Sequence, residues 1–150
     1  MHFQILATVL LGTAAAASHG QTAAGTVKRL QGESQILSAA GARAAEVGAT
    51  VYAGDRFVTD TGSALGITLH DGTQMAVGPD AAVTLEDFRF DTTTREGSLL
   101  VDVARGAMRM VTGLIARQDP KAVEVRTPTA TIGIRGTDFL VDVEGSAARP

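Results

Sequence analysis

Residues 65–77 read L-G-I-T-L-H-D-G-T-Q-M-A-V, and this stretch decides the fold class. Apolar residues stand at every second position from Leu65 to Leu69 and again from Met75 to Val77, as they do in strands with one buried face. Asp71-Gly72 interrupts the alternation at the point where a tight turn needs the positive φ that glycine tolerates. The stretch therefore predicts a strand, a turn and a second strand.

Similar short alternating runs continue along the chain at intervals of roughly 8–12 residues, with Gly, Asp or Pro between them. No stretch has the 3.6-residue period of a long helix, and the Ala-rich segment 38–50 is interpreted as a loop. We predict one all-β domain of short strands, built as a β-sandwich, a roll or a short solenoid. The candidate strands lie at about 25–30, 34–37, 56–59, 65–69, 75–77, 83–85, 99–103, 108–110, 123–125, 132–134 and 139–143.

The composition fits one small globular domain and excludes several classes of protein. The 150 residues are 45% hydrophobic, with only five Phe, one Tyr and no Trp, so the predicted core consists mainly of Val, Leu and Ile. Thirteen Lys and Arg against sixteen Asp and Glu, with no basic block, argue against nucleic acid as a partner. The absence of Cys excludes disulfides, thiolate nucleophiles and the usual structural zinc sites.

The N-terminus resembles a secretory signal peptide. Residues 5–17 are uncharged and mostly apolar, and small residues follow them as in a cleavage region. The leading M-H-F-Q lacks Lys and Arg, so a buried N-terminal helix is the alternative interpretation. We predict a signal peptide at 1–24 with cleavage between 17 and 24, a β domain at 25–143 and a tail at 144–150. The mature chain is then expected to be exported and to have no membrane span.

No constellation of residues points to catalysis. His70 is the one imidazole that the mature chain is sure to keep, and it stands beside a turn Asp with no G-x-S-x-G motif in the sequence. Glu86 and Asp87 are adjacent on a candidate strand, so their side chains point to opposite faces and cannot share a substrate. We therefore predict no enzyme, no catalytic residue, no metal site and no cofactor.

Three segments are more specific than the Gly, Asp and Pro residues that separate strands in any β protein. They read Y-A-G-D-R-F-V-T at 52–59, G-S-A-L-G-I-T-L-H-D-G-T at 62–73 and V-R-T-P-T-A-T-I-G-I-R-G-T-D-F at 125–139. In this order and spacing they resemble the FecR domain, the extracytoplasmic sensor domain named for the ferric-citrate regulator of Gram-negative bacteria. The resemblance extends over roughly Gly25 to Val143.

The resemblance implies an envelope protein of a Gram-negative bacterium, periplasmic or secreted. Regulators of this family combine a cytoplasmic anti-sigma segment, one membrane helix, this domain and a region that contacts a TonB-dependent transporter. We expect those other parts to be missing here, so direct control of a sigma factor is not expected. The expected role is a sensor or binding module that presents an edge strand or a loop face to another envelope protein.

Two other roles stay open. A polysaccharide- or peptidoglycan-binding module is the alternative, although such sites usually need exposed aromatic rings and Tyr52 is the one Tyr. A truncated regulator fragment without a partner is the third possibility.

The motif residues are candidates for turn formation or partner contact. Asp55 is expected to accept backbone N–H groups in an Asx-type turn. Arg135, in a predicted strand 131–137 that leads through a bend to a core Phe139, either pairs with Asp55 or Asp138 or faces a partner, and we favour the internal pair. The candidate residues are Gly54, Asp55, Asp71, Gly72, Arg126, Thr127, Pro128, Arg135, Gly136, Thr137 and Phe139.

Overall fold

The alternating runs form twelve β-strands in a computed structural model that describes residues 22–134 and 136–144. Strands account for 59% of these residues, and the all-β, single-domain prediction is confirmed. One helix, α1 (Leu114–Gln118), and the 3-10 turn Pro120–Ala122 interrupt them. The strands are β1 (Ala23–Gln31), β2 (Ser34–Ser38), β3 (Gly41–Ala44), β4 (Thr50–Tyr52), β5 (Arg56–Thr59), β6 (Ala64–Leu69), β7 (Gln74–Val77), β8 (Ala82–Phe90), β9 (Gly97–Val111), β10 (Val123–Arg126), β11 (Thr131–Gly133) and β12 (Asp138–Val143).

Strand β9 organises the sheet because it is paired on both sides. Its first part pairs with β8 in antiparallel and with β10 in parallel orientation. Its second part pairs with β7 and β12, both antiparallel. The strand thus belongs to two half-sheets, of order β4-β1-β6-β7-β9-β12 (the first half-sheet) and β3-β2-β5-β8-β9-β10-β11 (the second half-sheet).

The sheet curls at Gly106, where β9 passes from one half-sheet to the other. This residue has φ +82°, a conformation that glycine adopts at low cost. A β-carbon at position 106 would lie 2.5 Å from the Cβ of Ala81, which is itself fully buried. Both the backbone conformation and the available space therefore require glycine at the curl.

One hydrophobic core lies between the two half-sheets. Inward positions alternate along every long strand, as Met108 and Met110 do in the first half-sheet and Val101 and Val103 do in the second. Phe57 is the one aromatic side chain among the largest fully buried groups of the described residues. The core consists mainly of Val, Leu, Ile and Met, as the composition indicates.

The interpretation of residues 38–50 as a loop is wrong, because the segment contains β3 and the start of β4. Gly41, with φ +121°, turns the chain back so that β3 pairs with β2. The Ser38 hydroxyl stabilises this turn by donating to the Gly41 carbonyl at 3.3 Å. Ladder pairing thus overrides the weak strand propensity of alanine.

The predicted strand 131–137 is also wrong in its length, since β11 ends at Gly133. Gly136 follows with φ +93°, and Phe139 is only partly buried, packed against the edge of the core. Arg135 lies outside the described residues. The same holds for residues 1–21 of the predicted signal peptide, while Ala24 is fully buried in β1.

We predict that Gly106→Ala lowers the free energy of unfolding by about 2–5 kcal/mol, because it combines backbone strain with overpacking. Gly62→Ala is the matched control, since Gly62 has φ +72° and a β-carbon added there would meet no atom within 4 Å. Gly62→Ala should lower the free energy of unfolding by about 1 kcal/mol, because it introduces backbone strain without overpacking. Urea denaturation measures both. Equal losses would contradict the role of the contact with Ala81.

Candidate functional site

The motif residues lie mainly in the turns that join strands. Gly54-Asp55 lies between β4 and β5, and Asp71-Gly72 lies between β6 and β7. These two turns lie at the same end of the first half-sheet, because Tyr52 and Leu69 pair with neighbouring positions near the start of β1. The structure thus brings the Gly54-Asp55 and Asp71-Gly72 turns of the first two motifs to one end of the first half-sheet.

The Asp71 carboxylate forms a clasp around the start of α1. Its side chain is buried (1% exposed), and it accepts hydrogen bonds from the Thr73 backbone N–H at 3.0 Å and hydroxyl at 2.8 Å. It also accepts from the backbone N–H of Ile115 at 3.3 Å, while its own carbonyl accepts from Leu114 at 2.8 Å. The Asp71 clasp therefore satisfies N-terminal donors of a helix that supplies no side-chain cap of its own.

Gly113 leaves the space that the hydrogen bonds of the Asp71 clasp require. Its backbone N–H donates to the Thr73 hydroxyl at 3.1 Å. A β-carbon at position 113 would come within 2.6 Å of the Thr73 nitrogen. The clasp in turn holds Ile115, which is fully buried, beside the start of β9 at Gly97. Asp71 thereby closes the core with a helix that is too short to be stable alone.

The Asp55 carboxylate forms a second clasp, and it is fully buried. Its Oδ2 accepts from the Tyr52 backbone N–H and from the guanidinium of Arg43, both at 2.9 Å. Arg43 also donates to the Thr50 carbonyl at 2.9 Å, and its guanidinium lies 5.9 Å from the centre of the Tyr52 ring. The Asp55 clasp thus ties β3 to the β4–β5 turn.

Backbone contacts connect the Asp55 clasp to β8. Gly54 donates to the Leu85 carbonyl at 2.6 Å, and Leu85 donates to the Asp55 carbonyl at 2.9 Å. Asp55 and its neighbours therefore fix the place where the chain leaves the first half-sheet and enters the second. Oδ1 of Asp55 is buried with no hydrogen-bond partner among the described residues.

The third motif contributes a turn and the exposed cation of Arg126. Thr127 closes the turn between β10 and β11, with its N–H donating to the Ala130 carbonyl at 2.8 Å and its hydroxyl accepting from the Ala130 N–H at 3.1 Å. Pro128 lies within this turn. Arg126 is exposed on β10, in register with Asp102 of β9. The motif residues that the structure describes lie in separate turns and strands.

The two buried carboxylates have structural roles. Both face inward, and hydrogen bonds to neighbouring strands or to α1 hold them. His70 is exposed, and its backbone N–H donates to the Ala24 carbonyl at 2.8 Å. Within residues 22–134 and 136–144, no three His, Asp or Glu side chains converge as metal ligands.

Sequence reasoning missed the outer edge formed by β12. Within the part of the chain that the structure describes, this strand pairs only with β9. Leu140 is 67% exposed at its centre, between the exposed Asp138 and Asp142. The alternating run D-F-L-V-D-V carried this signal, because it places these three side chains on one face.

An ion pair attaches β12 to the outer face of β9. The Arg109 guanidinium binds the Asp138 carboxylate through two hydrogen bonds, with Nε at 3.0 Å from Oδ1. The hydrogen bond from Arg109 holds the pKa of the Asp138 carboxyl below its usual value, and the pKa of Arg109 is raised. The positive charge of Arg109 therefore offsets the negative charge of Asp138.

The backbone of β12 alternates between paired and outward-directed groups. The Thr137 carbonyl accepts from the Thr112 N–H at 2.8 Å, so residue 137 faces β9. In an antiparallel pair, every second residue directs its N–H and C=O to the same neighbour. The backbone groups of Asp138, Leu140 and Asp142 consequently point away from β9. These three positions form the row that we call the β12 edge.

We predict that Asp71→Ala costs about 2–4 kcal/mol of unfolding free energy, because it leaves buried donors of Thr73 and Ile115 without an acceptor. The backbone amide of Ile115 should also exchange hydrogen faster, since α1 loses its clasp.

Asp91→Ala is the matched control for this prediction. Asp91 accepts backbone N–H groups from Thr93 at 2.7 Å and Thr94 at 3.1 Å in the same manner, but the turn is exposed. Its expected cost is below about 1 kcal/mol, because water replaces the lost acceptor. Similar costs for the two variants, measured by urea denaturation, would show that the Asp71 clasp has no special role.

The comparisons with known proteins place the chain in a family. The model of the family described as "FecR protein" matches residues 55–149, and thus contains Asp71 and the whole of β9 and β12. A solved structure described as "Cell surface anchoring domain" is similar to part of this chain, with 26% sequence identity and a TM-score of 0.39. The similar region covers 41% of this chain and 82% of the solved chain. No curated protein matches.

The family match also bears on the general role. The FecR family is a family of signalling and regulatory domains, which fits an envelope-associated module. Among the described residues, no helix has the length and apolar character needed to cross a membrane. The match covers more than half of the sequence and begins at the Asp55 clasp. The chain belongs to the FecR family.

Proposed function

We propose that this chain is an exported, non-enzymatic module of the bacterial envelope that binds another envelope protein. The family match supports the envelope association. The single observation that carries the binding role is the β12 edge, a row of outward-directed backbone groups with the exposed Leu140 at its centre. Natural sheets usually cover or blunt such an edge, because it offers a template for another strand.

A protein partner explains the β12 edge better than a polysaccharide does. An extended protein segment can satisfy the backbone groups of the edge and cover Leu140 in one step. Sugar-binding sites usually use exposed aromatic faces for stacking, and the Tyr52 ring is half-buried with the Arg43 guanidinium near it. Within residues 22–134 and 136–144, the polysaccharide alternative therefore has no comparable feature in its favour.

Export requires that a signal peptide be removed without damage to β1. Ala24 is fully buried, and β1 begins at Ala23. Cleavage after residue 23 or 24 would remove core contacts and part of the strand that pairs with β4. We therefore propose a cut after residue 17 or 20, within the range that the sequence predicts.

Mass spectrometry of the protein from the envelope fraction of its host tests export. We expect a mature chain that begins at Ser18 or Gln21. An intact Met1 in the cytoplasm would contradict the export proposal, and with it the envelope role.

Site-specific photo-crosslinking in the host tests the binding role. A photoreactive side chain at position 140 is expected to yield a crosslinked product of defined mass in the envelope fraction. Position 47 is the matched control, because Val47 is 65% exposed, compared with 67% for Leu140, and lies in the β3–β4 loop away from the edge. Neither substitution, at position 140 or at position 47, should change the free energy of unfolding by more than about 0.5 kcal/mol. Equal crosslinking at both positions, or none at 140, would contradict the proposal.

A further inference from the structure

We propose that the β12 edge receives an extended, cationic protein segment, with an apolar residue between two basic residues, as an added antiparallel strand. This inference rests on the proposed function and deepens it, because it names the chemistry of the partner.

The backbone of the edge sets the form of the partner. The outward-directed N–H and C=O groups of Asp138, Leu140 and Asp142 recur at every second residue, about 6.8 Å apart in an antiparallel strand. Only another extended backbone offers donors and acceptors at that spacing along a straight line. A helix or a folded surface would leave part of the row without partners.

The side chains of the edge set the charge of the partner. Asp142 is exposed, its register neighbour on β9 is Ala107, and it takes part in no ion pair among the described residues. Glu144 follows β12 and is also exposed. Asp138 carries a charge that only Arg109 offsets. A strand laid against this row meets the carboxylates of Asp142 and Glu144 on one side of Leu140 and the carboxylate of Asp138, paired with Arg109, on the other.

Cross-strand pairing then determines which residue types the partner segment needs at successive positions. Residues directly opposite each other in neighbouring strands lie on the same face of the sheet, and opposite charges there are favourable. Basic residues therefore fit opposite Asp138 and Asp142, and an apolar residue fits opposite Leu140. On the inner face, the partly buried Phe139 and Val143 favour β-branched neighbours that extend the core.

A second copy of this chain fits the edge poorly. Antiparallel self-pairing about Leu140 places Asp138 of one copy opposite Asp142 of the other, at both ends of the contact. Like charges directly opposite each other are destabilising. The edge therefore disfavours a homodimer and favours a cationic segment of another protein.

The test uses the mature chain and a synthetic peptide, N-acetylated and C-amidated, of sequence Thr-Lys-Val-Leu-Val-Lys-Thr. We expect it to bind, as measured by isothermal titration calorimetry. The counterpart with Glu in place of both Lys should bind about tenfold more weakly or not at all, because two favourable charge pairs become repulsive. No detectable binding of the cationic peptide, or equal binding of the two peptides, overturns the inference.

N-methylated peptides test strand addition separately from charge. The N–H of the central Leu would face β12, so its methylation should abolish binding. The N–H groups of the two Val residues would face solvent, so methylation of either should leave binding within about threefold. Equal effects at Leu and Val would show that the peptide does not add as a strand.

Protein variants locate the peptide on the edge. Asp142→Lys should remove the preference for the Lys peptide over the Glu peptide, because only Asp138 then still favours Lys, whereas Asp91→Lys, which changes an exposed acid in a distant turn, should leave the preference unchanged. Loss of preference with Asp91→Lys as well would overturn the assignment. Analytical ultracentrifugation should show a monomer. A dimer that Leu140→Pro dissociates would overturn the inference in favour of self-pairing.

The two proposals can fail separately. Crosslinking at position 140 together with equal binding of the Lys and Glu peptides would remove the charge preference and leave the binding role. Peptide binding that is specific for the edge, without any crosslinked protein in the host, would remove the envelope partner and leave the strand-addition chemistry.

Discussion

The structure depends on one constraint, which is that β9 must be paired on both sides while it passes from one half-sheet to the other. A strand of 15 residues can do this only if it bends, and Gly106 supplies the bend with a positive φ and with space for Ala81. The bend turns both half-sheets toward one core. It also leaves β12 as the outermost strand beside the second part of β9.

The two buried carboxylates follow from the same constraint. A curled sheet leaves its core open at the ends, and α1 covers one of these openings with the fully buried Ile115. The Asp71 clasp closes it by holding α1 in place, and the Asp55 clasp fixes the nearby crossing between half-sheets. A buried carboxylate is tolerated only with hydrogen-bonded partners, so these motif residues stabilise the scaffold. The binding role that we propose belongs instead to the β12 edge.

Local patterns in the sequence predicted the strands well. Alternation such as that of residues 65–69 depends only on which face is buried, and it can be recognised within one strand. The failures occurred where pairing between segments, rather than alternation within one segment, decides the structure. Residues 41–44 are a strand because they form a hairpin with β2, and Ile115 is held by Asp71, which is 44 positions earlier in the chain. Alternation within a single segment does not reveal such pairings.

The site was predictable to a smaller extent than the fold. The family motifs pointed to the turns, and alternation within residues 138–143 places Asp138, Leu140 and Asp142 on the outer face, but only the sheet order reveals that β12 is an edge strand.

Hydrogen exchange of the backbone amides along β12, followed by NMR in the mature protein, measures whether this edge is open. We expect slow exchange at Phe139, Val141 and Val143, whose N–H groups face β9, and fast exchange at Asp138, Leu140 and Asp142. Uniform protection along the strand would contradict an open β12 edge, because it would mean that the edge is already covered. Uniformly fast exchange would contradict the pairing of β12 with β9.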